Sequence, residues 1–189
     1  MSNFKLNTLE TAPEESKEIL SAELEKNGFI PNLYGIMSES PELLKAYKQM
    51  QQLFSETSFS QVEKNIVWLT VSYHNCCHYC MAIHSMIAKL YRLPDEMTEA
   101  LRENKPLNDS KLEVLRKFTA TLVEKRGWAT DKEIREFLDA GYSSKNVLEL
   151  IIGVGQKILS NYVNHLAHTP LDNQVKEFKW ESFEKNCVD

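Results

Sequence analysis

No run of apolar residues in this chain approaches the ~20 needed to cross a bilayer. The opening Met1-Ser2-Asn3-Phe4-Lys5 also lacks the basic, apolar and small-residue blocks of a secretory leader. A membrane is therefore not an expected partner, and the expected location is the cytoplasm. Lys and Arg nowhere cluster with interleaved aromatics, and a net charge of −5 gives no positive field to steer a phosphate backbone. Nucleic acid is not expected either. Strand signals are nearly absent, as are low-complexity stretches, long linkers and solenoid-type repeats. Cysteine is scarce: Cys76, Cys77, Cys80 and Cys187 are too few and too clustered for a disulfide framework. In a reducing compartment such clustering favours redox chemistry or metal binding.

What is present is helix punctuation. At 189 residues and 42% hydrophobic content the chain suits one domain, 1–189, with a substantial core. Thr11-x-x-Glu14, Ser60-x-x-Glu63, Ser110-x-x-Glu113 and Thr130-x-x-Glu133 each pair a capping hydroxyl with a carboxylate three residues on. Ser40-Pro41 supplies a cap followed by proline at the first helical position. Gly28, Gly127 and Gly141 fall where left-handed closing residues belong. These signals predict about eight helices, near 13–26, 41–54, 61–74, 76–91, 95–103, 110–126, 131–140 and 144–167, with 28–40 as a connector. The expected class is all-α. Within 147–163 apolar residues point nearly all round, as on a helix buried on several sides. Gly153 and Gly155 would allow a close neighbour there, within the domain or across a subunit boundary.

The chemistry concentrates at 76–84. With a helix starting near Asn75, Cys77 lies in the first turn, Cys80 three residues later and His84 four beyond that, on one face. The positive end of the helix favours a thiolate. A thiolate attacks peroxide oxygen to give a sulfenic acid, which a second thiol condenses with to form a disulfide. Cys80, nearer His84, is the candidate attacking sulfur and Cys77 the resolving one, and His84 would supply or remove protons. Two other readings stay open. Cys-x-x-Cys with His74, His78 or Cys76 matches part of a zinc site, though no second ligand pair follows at zinc-site spacing. Buried cysteines and a satisfied core histidine would be purely structural. Cys76 points away from Cys77 by about 100° and suits packing. Cys187 reads as a bystander, and His165 and His168 as capping or surface residues, although His165 could reach the site from another element. Met81, Ile87, Ala88 and Tyr91 continue the stripe, and Trp68 and Tyr73 on the preceding helix are candidates to line the same space.

At these residues the sequence resembles the alkylhydroperoxidase D and carboxymuconolactone decarboxylase superfamily, in its peroxidase-related branch. The resemblance rests on Asn75-Cys76-Cys77-His78-Tyr79-Cys80-Met81-Ala82-Ile83-His84-Ser85. It extends to Ile30-Pro31-Asn32-Leu33, Ser40 to Tyr47, Ala140-Gly141-Tyr142-Ser143 and Asn161 to Asp172, so that it spans most of 29–180. It implies an alkylhydroperoxidase D-like helical bundle in homo-oligomers, with Cys80 as peroxidatic cysteine, Cys77 as resolving cysteine and His84 in a proton relay. No cofactor and no metal is implied. The implied partners are a small hydroperoxide substrate and an external dithiol reductant.

The relay of such relatives also uses a glutamate twelve residues before the first cysteine, where this chain has Asn65. An amide cannot pass a proton as a carboxylate does. Glu63 is the nearest acid and stays a candidate catalytic residue. Two positions turn it about 200° around a helix, however, and it also suits the Ser60 capping box. The expected activity is a thiol-dependent hydroperoxide reductase. Its rivals are a lyase like the superfamily's lactone decarboxylases, whose branch generally lacks the cysteine pair, and a non-catalytic redox sensor.

Overall fold

The computed structural model describes residues 4–181; Cys187 lies outside them. Among the described residues it contains helices α1 (Glu14–Asn27), α2 (Asn32–Met37), α3 (Pro41–Ser55), α4 (Gln61–His74), α5 (His78–Leu90), α6 (Asp95–Arg102), α7 (Ser110–Glu124), α8 (Asp131–Asp139) and α9 (Ser144–Ala167). A 3₁₀ turn, Asn173–Phe178, follows. No strand occurs among these residues, and no helix is long and apolar enough to cross a membrane.

Local chemistry sets most boundaries. Ser40 accepts the Leu43 N–H with Pro41 at the first helical position, and Ser60–Glu63 and Thr130–Glu133 form complete capping boxes. Two expected caps are corrected. Asp109, not Ser110, caps α7 by accepting the Leu112 N–H, because an ionised carboxylate is the better acceptor at a helix's positive end. Glu113 is drawn instead to Arg116 and the Leu107 N–H. Thr11 does not cap α1, which starts after Pro13. Its hydroxyl serves the preceding turn, accepting the Thr8 N–H and donating to Asn7.

The expected connector 28–40 contains α2, which its length concealed. Leu33, Tyr34, Ile36 and Met37 are all buried, so one and a half turns are held by packing and not by propensity. Gly28 closes α1 in the left-handed region at φ 76°.

α4 is the axis of the bundle, with Lys64 through Tyr73 all buried, and it packs against α5, α7 and α9. On one side a large apolar cluster joins Phe54, Phe59, Ile66, Leu69, Phe118 and Phe137. On the other a smaller cluster brings Leu20, Leu33, Met37, Leu44 and Tyr47 against Cys77 and Cys80. Helix α9 runs between α3 and α4. Its Gly153 answers the question of the close neighbour: a Cβ there would lie 2.6 Å from two atoms of the Phe54 ring, so the approach is within the chain. The opposite edge of α9 leaves Leu148, Ile151, Tyr162 and Leu166 exposed.

Candidate functional site

The turn from α4 to α5 creates the site. Asn75 ends α4, and Cys76 takes a left-handed conformation at φ 53° that reverses the chain. Cys77 becomes the N-cap of α5, its N–H donating to the Ser72 carbonyl. The helix therefore begins at His78, two residues later than expected, because a residue at positive φ cannot continue a right-handed helix. Cys80 occupies the third helical position, and its N–H donates to Cys77 Sγ at 3.4 Å. Both thiols are buried and in the reduced state.

Helix α9 supplies what surrounds the sulfurs. Asn164 Nδ2 donates to Cys80 Sγ at 3.2 Å and lies 3.8 Å from Cys77 Sγ, so one amide bridges both. Ser160 Oγ is 3.7 Å from Cys80 Sγ. Lys157, only 1% exposed, places Nζ 2.8 Å from His84 Nε2, and its charge acts on Cys80 electrostatically. Trp68 stacks on the His84 ring with centroids 5.0 Å apart and planes 25° from parallel. Its indole N–H is held by Gln156 Oε1 at 3.0 Å.

These contacts set the protonation states. Burial opposes ionisation of Cys80, but the Cys77 thiol, the Lys157 ammonium and Ser160 together hold its pKa well below the ordinary thiol range. Burial, reinforced by donating to an anionic Cys80, pushes the Cys77 thiol well up. The pair thus divides into one thiolate and one thiol, which share their titration. Burial and then the Lys157 charge press His84 well below its usual value, leaving the imidazole neutral at physiological pH. Facing an ammonium, Nε2 must be the accepting nitrogen, so the proton sits on Nδ1. That Nδ1 has no hydrogen-bond partner among the described residues.

Cys77 and Cys80 are brought together, with the Cys80 N–H on Cys77 Sγ and Asn164 Nδ2 shared between them, and His84 is linked to them through Lys157. Glu63 is not. One carboxylate oxygen accepts the Ser60 N–H at 2.7 Å and the other the Tyr142 hydroxyl at 2.9 Å. Its place in the capping box holds it at the start of α4, with both oxygens engaged by Ser60 and Tyr142. Asn65 is fully buried and donates to the Gln61 carbonyl at 2.9 Å. Of the further lining candidates, Trp68 does face the site, Tyr73 packs edge-on against Trp180, and Tyr91 is exposed at the end of α5. Met81 belongs to the large apolar cluster. His168 closes α9 in the left-handed region, and His165 is exposed, yet within electrostatic reach of Cys80. No three His, Cys, Asp or Glu side chains among the described residues converge as a metal-ligand set.

The residues that sequence reasoning missed are Lys157, Ser160 and Asn164. Their signal was available: with Asn161 they recur at helical spacing as a polar stripe through an otherwise apolar segment.

No family model and no curated protein matches the chain. Solved structures do. A peroxidase-related protein with an alkylhydroperoxidase D core from Ralstonia eutropha JMP134 superposes with a TM-score of 0.82 at 15% identity, covering 92% of this chain and 94% of that one. An uncharacterised peroxidase-related protein from Silicibacter sp. TM1040 gives 0.79 at 18% identity, covering 94% of each chain. A variant of the debrominase Bmp8 in complex with 2,3,4-tribromopyrrole gives 0.75 at 16% identity, covering 94% of this chain and 97% of that one. At these identities the likeness is one of fold.

Proposed function

We propose that this alkylhydroperoxidase D-like fold carries a thiol-dependent hydroperoxide reductase. In this reading Cys80 is the attacking sulfur, Cys77 the resolving sulfur and His84 a member of the proton-handling group. The observation that carries the reading is the placement of two buried thiols under one amide, with Cys77 Sγ accepting the Cys80 N–H and Asn164 Nδ2 3.2 Å from Cys80 Sγ and 3.8 Å from Cys77 Sγ; the electrostatics there favour a Cys80 thiolate beside a protonated Cys77 thiol. A peroxide needs the first as nucleophile, and the resulting sulfenic acid needs the second as partner. The Cys80 N–H on Cys77 Sγ and the shared Asn164 amide support a disulfide between the two as the next step.

An external dithiol would then reduce the disulfide, and a reducing cytoplasm would keep the pair charged for the next cycle. The exposed edge formed by Leu148, Ile151, Tyr162 and Leu166 of α9 suits association with further copies. Sedimentation is expected to give a homo-oligomer, and a monomer at micromolar concentration would contradict that part of the reading.

Steady-state assays with hydrogen peroxide or an alkyl hydroperoxide and excess small dithiol test the activity. Turnover is expected, and with the dithiol left out Cys77→Ser should stop at a Cys80 sulfenic acid that a dimedone-type reagent traps. The debrominase of the same fold makes 2,3,4-tribromopyrrole a useful second substrate. Turnover of the halide alone would overturn the peroxide assignment and keep the dithiol. Oxidation of the pair without turnover of either substrate would mark a redox sensor, and activity persisting without both sulfurs would mark the lyase.

A further inference from the structure

We infer that Lys157 is both the counter-ion of the Cys80 thiolate and the proton donor to the departing oxygen, taking the place of the carboxylate relay that Asn65 and Glu63 do not provide. The inference rests on the peroxidase reading above and names the acid that it requires.

The first support is the cost of an isolated buried ammonium. Lys157 is 1% exposed and has no carboxylate partner among the salt bridges of the described residues. Such a charge would ordinarily lose its proton unless an anion faced it. The acid whose charge it meets is Cys80: Ser160, three residues on along α9, lies 3.7 Å from Cys80 Sγ, and His84, four residues after Cys80 on α5, sits 2.8 Å from Lys157 Nζ. Burial alone would lower the Lys157 pKa, but the Cys80 thiolate more than reverses this, so the ammonium persists.

The second support is His84. Its Nε2 accepts from Lys157 Nζ at 2.8 Å, and its ring is clamped beneath Trp68. A neutral acceptor fixed in this way aims the ammonium without competing for the negative charge. His84 is therefore a positioning residue, and Lys157 is the group placed to donate. The other ionisable groups around them are Tyr47 from α3, Cys77 from α5, His165 from α9, and Tyr79 with Asp172 behind Cys80. Helix α4 contributes the uncharged Trp68 ring. Arg102 of α6 is held by Ser85 and the Phe178 and Lys179 carbonyls, and Lys176 and Glu177 of the 3₁₀ turn are exposed.

The chemistry balances. The Cys80 thiolate attacks the terminal oxygen of ROOH, an S–O bond forms, and the O–O bond breaks with its electron pair leaving on RO⁻. Lys157 transfers a proton to RO⁻, giving ROH, a Cys80 sulfenic acid and a neutral amine. The Cys77 thiol displaces water from the sulfenic acid to form the disulfide. Reduction by the external dithiol returns two thiols and an oxidised donor, and the Cys80 proton passes to the Lys157 amine to restore the ion pair.

Lys157→Met keeps length and volume while removing the charge. Thiolate absorbance near 240 nm, corrected with Cys80→Ser, should show one thiolate per chain at pH 7 in the wild type. In Lys157→Met the midpoint should move up by about 1–3 pH units, the usual effect of an opposite charge. Single-turnover sulfenic acid formation, measured by acid quench and mass, should then be divided by thiolate fraction. A thiolate of higher pKa is the intrinsically stronger nucleophile, so loss of a mere counter-ion would raise this rate. Loss of a proton donor should lower it by about 10²-fold or more.

An unmoved midpoint, or a rate per thiolate that rises, overturns the inference while wild-type turnover leaves the peroxidase reading standing. Failure of the wild type to react with peroxide removes that reading instead. Should Lys157→Met not fold, the wild-type titration decides: no thiolate below pH 8.5, the ordinary thiol value being about 8.5, contradicts the ion pair.

Discussion

Cys80→Ser is expected to reduce peroxide-driven turnover to the uncatalysed background. The serine hydroxyl fits the volume and still meets Ser160 and Asn164, so folding should be preserved. Chemistry is lost because an alcohol has no accessible anion near neutral pH. The environment that holds Cys80 below the thiol range works on an intrinsic value of about 8.5, and it cannot bring an aliphatic alcohol into the same window. Lys157 would also lose its counter-charge, so its own pKa should fall as burial prevails. Steady-state rate and melting temperature, measured together, separate loss of the nucleophile from loss of the fold. Residual turnover at a tenth of wild type would move the attacking role to Cys77.

The largest effect on stability is expected from Phe54→Ala. The Phe54 ring is completely buried, 5.6 Å from the Trp68 centroid in an edge-on contact and 6.3 Å from that of Phe59. It also closes on the bare backbone at Gly153, where any Cβ would collide with it. Removing it leaves a cavity among a glycine and two rings, none of which can extend to fill it. Such a deletion costs about 3–5 kcal/mol, against a typical total of 5–15 kcal/mol. At roughly 2–4 °C per kcal/mol for a chain of this size, the melting temperature should fall by about 6–20 °C. Trp68 is the side chain that clamps His84, so the loss should extend to the site as lower activity in the molecules that remain folded. Urea unfolding with an unchanged slope and a lower midpoint would support the cavity account. A loss below about 1 kcal/mol would show that α9 closes onto α3.

How far the sequence foretold the molecule depends on the range of the forces involved. Ser40, Ser60, Thr130 and Gly28 act within a turn or two, so α1, α3, α4 and α8 were legible to within a residue or so. Pro31 to Met37 was not: α2 exists because distant elements bury it. Its first N–H is held by Asp172, which also receives the Tyr79 hydroxyl. Three segments noted for family resemblance thus meet in one network that no local signal announces. The cysteine pair and His84 were visible as spacing. Their electrostatics were not, because Lys157 lies 73 positions from His84 and reads locally as an ordinary helix lysine. For Glu63 the legible part was the local one, its capping box with Ser60, while the Tyr142 hydroxyl on its other oxygen comes from 79 positions away.

The most direct measurement is the mass of the fully reduced protein before and after one equivalent of hydroperoxide, with digestion to locate any bridge. The account predicts loss of two hydrogens per chain and a disulfide joining Cys77 to Cys80. Two free thiols at those positions after treatment, or a bridge from one of them to any other cysteine, would contradict it.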